Sequence, residues 1–166
     1  MFSIGECIAY GTTGICRVAD ICASPFDAKD TRKFYVLKSL VEQDRVIYTP
    51  TEMGDLAGRT PYTEAELATL LSDVSQVEPL VVEEEKHRRD VYRRTMTNPL
   101  PETCVQMLKT VACRRRLCAQ LRKHLPAMDS EFEGLAKKLL LQEIMYAFSV
   151  SAADADVRLR SVMEQL

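Results

Sequence analysis

The sequence predicts an α+β protein of two domains, a small barrel-like sheet over residues 1–62 followed by an all-α helical bundle over residues 63–166. Three observations predict it. Short runs rich in β-branched and aromatic residues are confined to the first 50 positions. A capping box at Thr63-Glu64-Ala65-Glu66 opens the first helical pattern, and after Pro79 the pattern stays helical. No period of 20–50 residues repeats, which excludes a solenoid.

Cys7 to Tyr10 reads as a short strand and Gly11-Thr12-Thr13-Gly14 as a glycine-bounded turn. A second strand runs from Ile15 to Ile21, with Ile15, Arg17, Ala19 and Ile21 alternating against Cys16, Val18 and Asp20. Ser24 to Lys33 is polar and loop-like. Phe34 to Leu40 and Arg45 to Pro50 form a hairpin around Val41-Glu42-Gln43-Asp44, and Pro50, which cannot donate to a ladder, ends it. Phe34, Val36 and Leu40 lie on one face of the first run and Tyr35 and Leu37 on the other, so both faces carry apolar side chains, which suits a curved, barrel-like sheet better than an open one. Small sheets of this kind are often only structural.

The capping box predicts a helix from Glu64 to Val74 carrying Leu67, Leu70, Leu71 and Val74, with nothing helical before it. Glu83 to Met96 reads as one helix. Pro101, at a first-turn position, opens a long one reaching Leu125, and Pro126 stops it. Ser130-x-x-Glu133 caps a helix to about Phe148, and Ser151-x-x-Asp154 caps a last one carrying Val157, Val162, Met163 and Leu166.

The net charge of −2 hides an asymmetry: residues 86–123 hold 11 basic and 2 acidic side chains inside an otherwise acidic chain. Lys86, Arg88, Arg89, Arg93 and Arg94, with Arg114, Arg115 and Arg116 on the long helix, are the candidate polyanion contacts. Arg89 and Arg93 stack like charges at i and i+4, which disfavours a helix unless a ligand or distant acids balance them. Phosphate binding balances them directly. A solvated face paired with Glu83, Glu84 and Glu85 balances them equally well.

An enzyme is not indicated, because no glycine-rich phosphate loop, nucleophile elbow or His-Glu-x-x-His occurs. Six cysteines without a Cys-x-x-Cys, and His87 and His124 in no ligand-like spacing, point to neither a metal nor another cofactor, and the cysteines read as small core residues. The start lacks a basic then apolar leader and no stretch is apolar enough to span a membrane, so a cytoplasmic monomer with reduced thiols is expected.

Phe2-x-Ile4-Gly5-x-x-Ile8-x-Tyr10-Gly11-x-x-Gly14-Ile15, then Val18-x-x-Ile21, Tyr35-Val36-Leu37-Lys38 and a strand ending in Thr49-Pro50, followed by Arg59 and the capped helix, resembles the CarD/CdnL family of bacterial RNA polymerase-binding transcription regulators. The Arg88-Arg89 pair, the Asn98-Pro99 break, the helix from Glu102 and Leu135-Ala136-Lys137 extend the resemblance across nearly the whole chain. The resemblance implies a Tudor-like five-stranded barrel that binds the RNA polymerase β subunit, and a helical domain that contacts promoter DNA without reading sequence and stabilises the open complex. The transcription-repair coupling factor shares the first module, but this chain is too short for that protein's motor. Some family members wedge a tryptophan into the opened minor groove, and this chain has none. On the exposed edge of the sheet, Arg45, Ile47, Tyr48 and Thr49 are the expected polymerase contact, although Tyr48 fits the core as well as the edge. The competing expectation is a protein adaptor on RNA polymerase whose basic helices bind an acidic partner instead of DNA.

Overall fold

The structure, a computed structural model, describes residues 1–42 and 44–166; Gln43, in the expected hairpin connection, lies outside the described residues. The chain divides into two compact units, Met1–Pro61 and Tyr62–Leu166.

The first unit is a curled, five-stranded antiparallel sheet: β1 (Cys7–Tyr10), β2 (Gly14–Ala23), β3 (Lys33–Ser39), β4 (Val46–Pro50) and β5 (Gly58–Arg59). Its order is β4-β3-β2-β1-β5. The sheet therefore stays open as a half-barrel, with β4 and β5 as its edges. Ile8, Cys16, Val18, Tyr35 and Leu37 form the core. Burial pushes the Cys16 thiol up to about 11, so it stays a neutral apolar filler. Strict alternation puts Ile21 opposite Cys16 and Val18, but the register shifts between Val18 and Asp20 and Ile21 packs on the core beside them. One extra residue in a strand reverses the faces beyond it.

A helix intervenes where none was expected: α1 (Thr51–Ala57) follows directly on Pro50. Gly54 sits under the ring of the fully buried Tyr35, where a Cβ would stand 2.5 Å from its Cδ2. The Tyr35 hydroxyl donates to Asp55 at 2.8 Å and accepts from the Phe2 N–H at 2.9 Å. Tertiary packing, rather than helix propensity, holds these seven residues.

The second unit contains α2 (Glu64–Ser72), α3 (Arg88–Thr95), α4 (Pro101–Gln120), α5 (Ala127–Phe148) and α6 (Ala152–Glu164). The capping box is present: Thr63 Oγ1 accepts from the Glu66 N–H, and the Thr63 N–H donates to Glu66 at 2.9 Å. Ser151 caps α6 through the Asp154 N–H. Leu67, Tyr92, Leu108, Val111, Leu140 and Ile144 are fully buried in its core.

Four helix boundaries differ from expectation, the first being that α2 ends at Ser72 and Val74 falls in a separate 3-10 turn over Val74–Gln76. Glu83 and Glu84 are not helical, and a 3-10 turn over Glu85–His87 precedes α3. α4 ends at Gln120 because Arg122 takes a left-handed conformation (φ 53°), so Leu125 lies outside it. α5 starts at Ala127, with Pro126 as its cap position and Ser130 already inside the helix. Val157 is exposed rather than packed, while Ala155, Leu159 and Val162 are buried. Of the six cysteines, Cys16 and Cys104 are core residues, whereas Cys113 is exposed.

Candidate functional site: an open strand edge and a cationic helix face

β4 pairs with β3 on one side and with no strand on the other, among the described residues. Its outer N–H and C=O groups form a template for a partner strand. Alternation along β4 sorts the four expected contact residues. Ile47 packs on the core, and Thr49 is buried, its Oγ1 accepting from the Tyr10 hydroxyl at 3.1 Å. These two side chains face inward, so a partner on this edge meets their backbone only. Tyr48 faces outward and is 43% exposed, which decides between edge and core. Arg45 precedes the strand and pairs with Glu42 at 3.0 Å.

Beside this edge lies an aromatic patch that sequence reasoning missed. Phe26, 74% exposed, folds back from the β2–β3 connection and sets its ring edge-on to Phe34 and Tyr48, with centroids 6.0 Å from each. An open groove of about 800 Å³ beside these rings is lined in part by Pro25, Val36, Lys38, Val46 and Tyr48. Arg17 is the register partner of Lys38, and neither has an ion-pair partner among the described residues. Like charges directly opposite one another destabilise a sheet, so this pair is suited to an anionic group. Phe26 sits in a polar stretch with no periodicity, so nothing in the sequence marked it.

In the helical unit the basic block separates into paired and free cations. Arg88 is buried; it donates to Glu85 at 2.8 Å and to the Tyr92 hydroxyl at 3.0 Å. The Tyr92 hydroxyl donates to the fully buried Asp129 at 2.9 Å. Arg114 donates to the other Asp129 oxygen at 3.2 Å and also pairs with Glu85. Burial pushes the Tyr92 hydroxyl above its ordinary range, against the opposing pull of Arg88. This network ties α3, α4 and α5 together, so Arg88 and Arg114, expected at DNA, are turned to internal carboxylates. Arg115 forms a two-pronged pair with Glu133 at 3.0 and 2.6 Å, Lys86 pairs with Glu84 at 2.7 Å, and Arg116 donates to the Leu166 carbonyl. Glu84 and Glu85 thus take up part of the block, as the solvated-face alternative requires.

The expected contacts that remain available lie on α3. Arg89 approaches Glu131 only to 3.9 Å, Arg93 has no ion-pair partner among the described residues, and Arg94 reaches only the Asp90 carbonyl at 3.4 Å. Arg89 and Arg93 are one turn apart on one face, and all three are exposed.

Glu133 gives the helical unit a pH dependence of known sign. Burial raises its carboxyl, but bonds from Arg115 and Lys137 outweigh that and hold it below the usual range. A group with a depressed folded value contributes stability that is present above the unfolded value of about 4.3 and is lost as pH falls through the folded one. Glu133→Gln is expected to flatten the fall in melting temperature between pH 5 and pH 3, on the order of that range, measured by circular dichroism.

No protein-family model matches the chain, and no curated protein matches it. Among the described residues no helix is long and apolar enough to cross a membrane.

Proposed function

We propose that the protein is a transcription regulator of the CarD/CdnL kind, a cytoplasmic monomer without a cofactor that docks on the β subunit of bacterial RNA polymerase and holds promoter DNA non-specifically to stabilise the open complex. The observation that carries this reading is the open β4 edge with Tyr48, Val46 and Phe26 exposed beside it. An edge strand flanked by an apolar patch is built for strand addition, in which backbone bonds supply affinity and outward side chains supply selectivity. The curled sheet is read as the Tudor-like polymerase-interacting module.

Docking raises the effective concentration of the helical unit at the DNA, so a few phosphate contacts suffice. Arg89, Arg93 and Arg94 supply them, and phosphate contacts position a protein without reading bases. Stabilising melted promoter by about 1.4 kcal/mol shifts the open-to-closed ratio about tenfold.

A second reading, the protein adaptor, is favoured by the internal pairing of Arg88, Arg114 and Arg115, which leaves fewer cations for a duplex than the sequence counts. Retention on random duplex DNA that falls with salt separates the two, since the adaptor shows none.

The test of the docking surface is a pull-down with core RNA polymerase. Tyr48→Asp is expected to reduce capture at least tenfold while the melting temperature stays near wild type, because Tyr48 lies outside the core. Unchanged capture by a folded variant would remove β4 from the interface.

A further inference from the structure

The turn between α4 and α5 carries cations that neither the internal pairing nor the α3 set accounts for. Leu121, Arg122, Lys123 and His124 are all exposed, and among the described residues none of the three basic side chains has an ion-pair or hydrogen-bond partner. The backbone of this turn is fixed. The Arg122 N–H donates to the Ala119 carbonyl at 3.1 Å and the Lys123 N–H to the Cys118 carbonyl at 2.8 Å. This double bond pattern closes a helix with one residue in the left-handed region, a position that glycine fills most cheaply. Arginine stands there instead, at φ 53°. The conformation alone does not single it out, because Ser149 takes φ 52° at the end of α5. What distinguishes Arg122 is a long cation at that position, followed by two more basic residues on a rigid turn.

The turn leads directly into the first turn of α5, and Glu131 on α5 is the residue that the exposed Arg89 of α3 approaches. Arg89 and this turn therefore both lie near the start of α5. We propose that the α4–α5 turn is a second phosphate-backbone contact for duplex DNA, with Arg122 and Lys123 each meeting one phosphate. It rests on the reading in which the helical unit contacts DNA, and extends that surface from one helix to two elements. The rival explanation is local: cations near a helix C-terminus complement its partial negative charge and stabilise the fold.

The two explanations predict opposite couplings between stability and binding. The full chain is compared as wild type, Arg122→Gly/Lys123→Gln and Arg93→Glu/Arg94→Glu, with duplex affinity measured by fluorescence anisotropy across salt concentrations and melting temperature measured in parallel. Loss of two phosphate contacts is expected to reduce the slope of log K against log salt by about 1.8 in Arg122→Gly/Lys123→Gln. Its melting temperature is expected to stay level or rise, because glycine suits the left-handed position. An unchanged slope with a lower melting temperature would overturn the proposal in favour of the local role. An unchanged slope in this variant together with a flattened one in Arg93→Glu/Arg94→Glu would overturn it while leaving the α3 contact standing. A wild type that does not bind duplex would overturn both.

Discussion

Asp129→Ala is expected to destabilise the helical unit by about 3–5 kcal/mol, the range for removing one partner of a buried ion pair. Asp129 is fully buried, accepts from Tyr92 and Arg114, and stands at the joint of three helices. Without it, Arg114 keeps only the exposed Glu85, and the Tyr92 hydroxyl loses its acceptor. Tyr92→Phe keeps the ring packed on Phe132, 5.3 Å away, and removes only the hydroxyl, so a smaller loss of about 1–3 kcal/mol is expected. Denaturant unfolding of both variants checks the order. A near-neutral Asp129→Ala would mean that the network contributes little.

The second large effect concerns duplex binding by α3. If Arg89, Arg93 and Arg94 each meet a phosphate, their part of the slope of log K against log salt is about −2.7, taking about 0.9 per contact. Arg93→Glu/Arg94→Glu is expected to reduce that part to about −0.9 and leave folding intact, since both side chains are exposed. The adjacent pair Arg88-Arg89, which the sequence marks most clearly, is the wrong pair to reverse. Arg88 is 9% exposed and bonded to Glu85 and Tyr92, so a charge reversal there would break the fold before it tested binding.

These cases show where sequence reasoning ends. β1, the pairing of β3 with β4 and the end of β4 at Pro50 were legible because alternation and proline act locally. The bulge near Ala19 was not, since it is defined only against the partner strand β3. α1 was missed because its one well-buried position is Gly54, whose value lies in the space it leaves under Tyr35. The basic block was legible as charge but not as a surface. Arg114 reaches Asp129, 15 positions away, and Arg115 reaches the buried Glu133, 18 positions away, and nothing local assigns these partners. Tyr48 could not be assigned to edge or core until the position of β4 in the sheet was known. Phe26 carried no signal, because its packing on Phe34 and Tyr48 depends on how the loop folds back.

In the proposed function, one chain joins polymerase to promoter DNA through two separate surfaces. The most direct measurement is the lifetime of competitor-resistant promoter complexes with wild type, Tyr48→Asp and Arg93→Glu/Arg94→Glu, at two salt concentrations, alongside polymerase pull-down of each. Wild type is expected to lengthen the lifetime, more so at low salt, and both variants are expected to lose most of this effect. Arg93→Glu/Arg94→Glu should still be captured by polymerase, whereas Tyr48→Asp should not. Equal lifetimes for wild type and Arg93→Glu/Arg94→Glu at both salt concentrations would remove DNA contact by α3 from the mechanism.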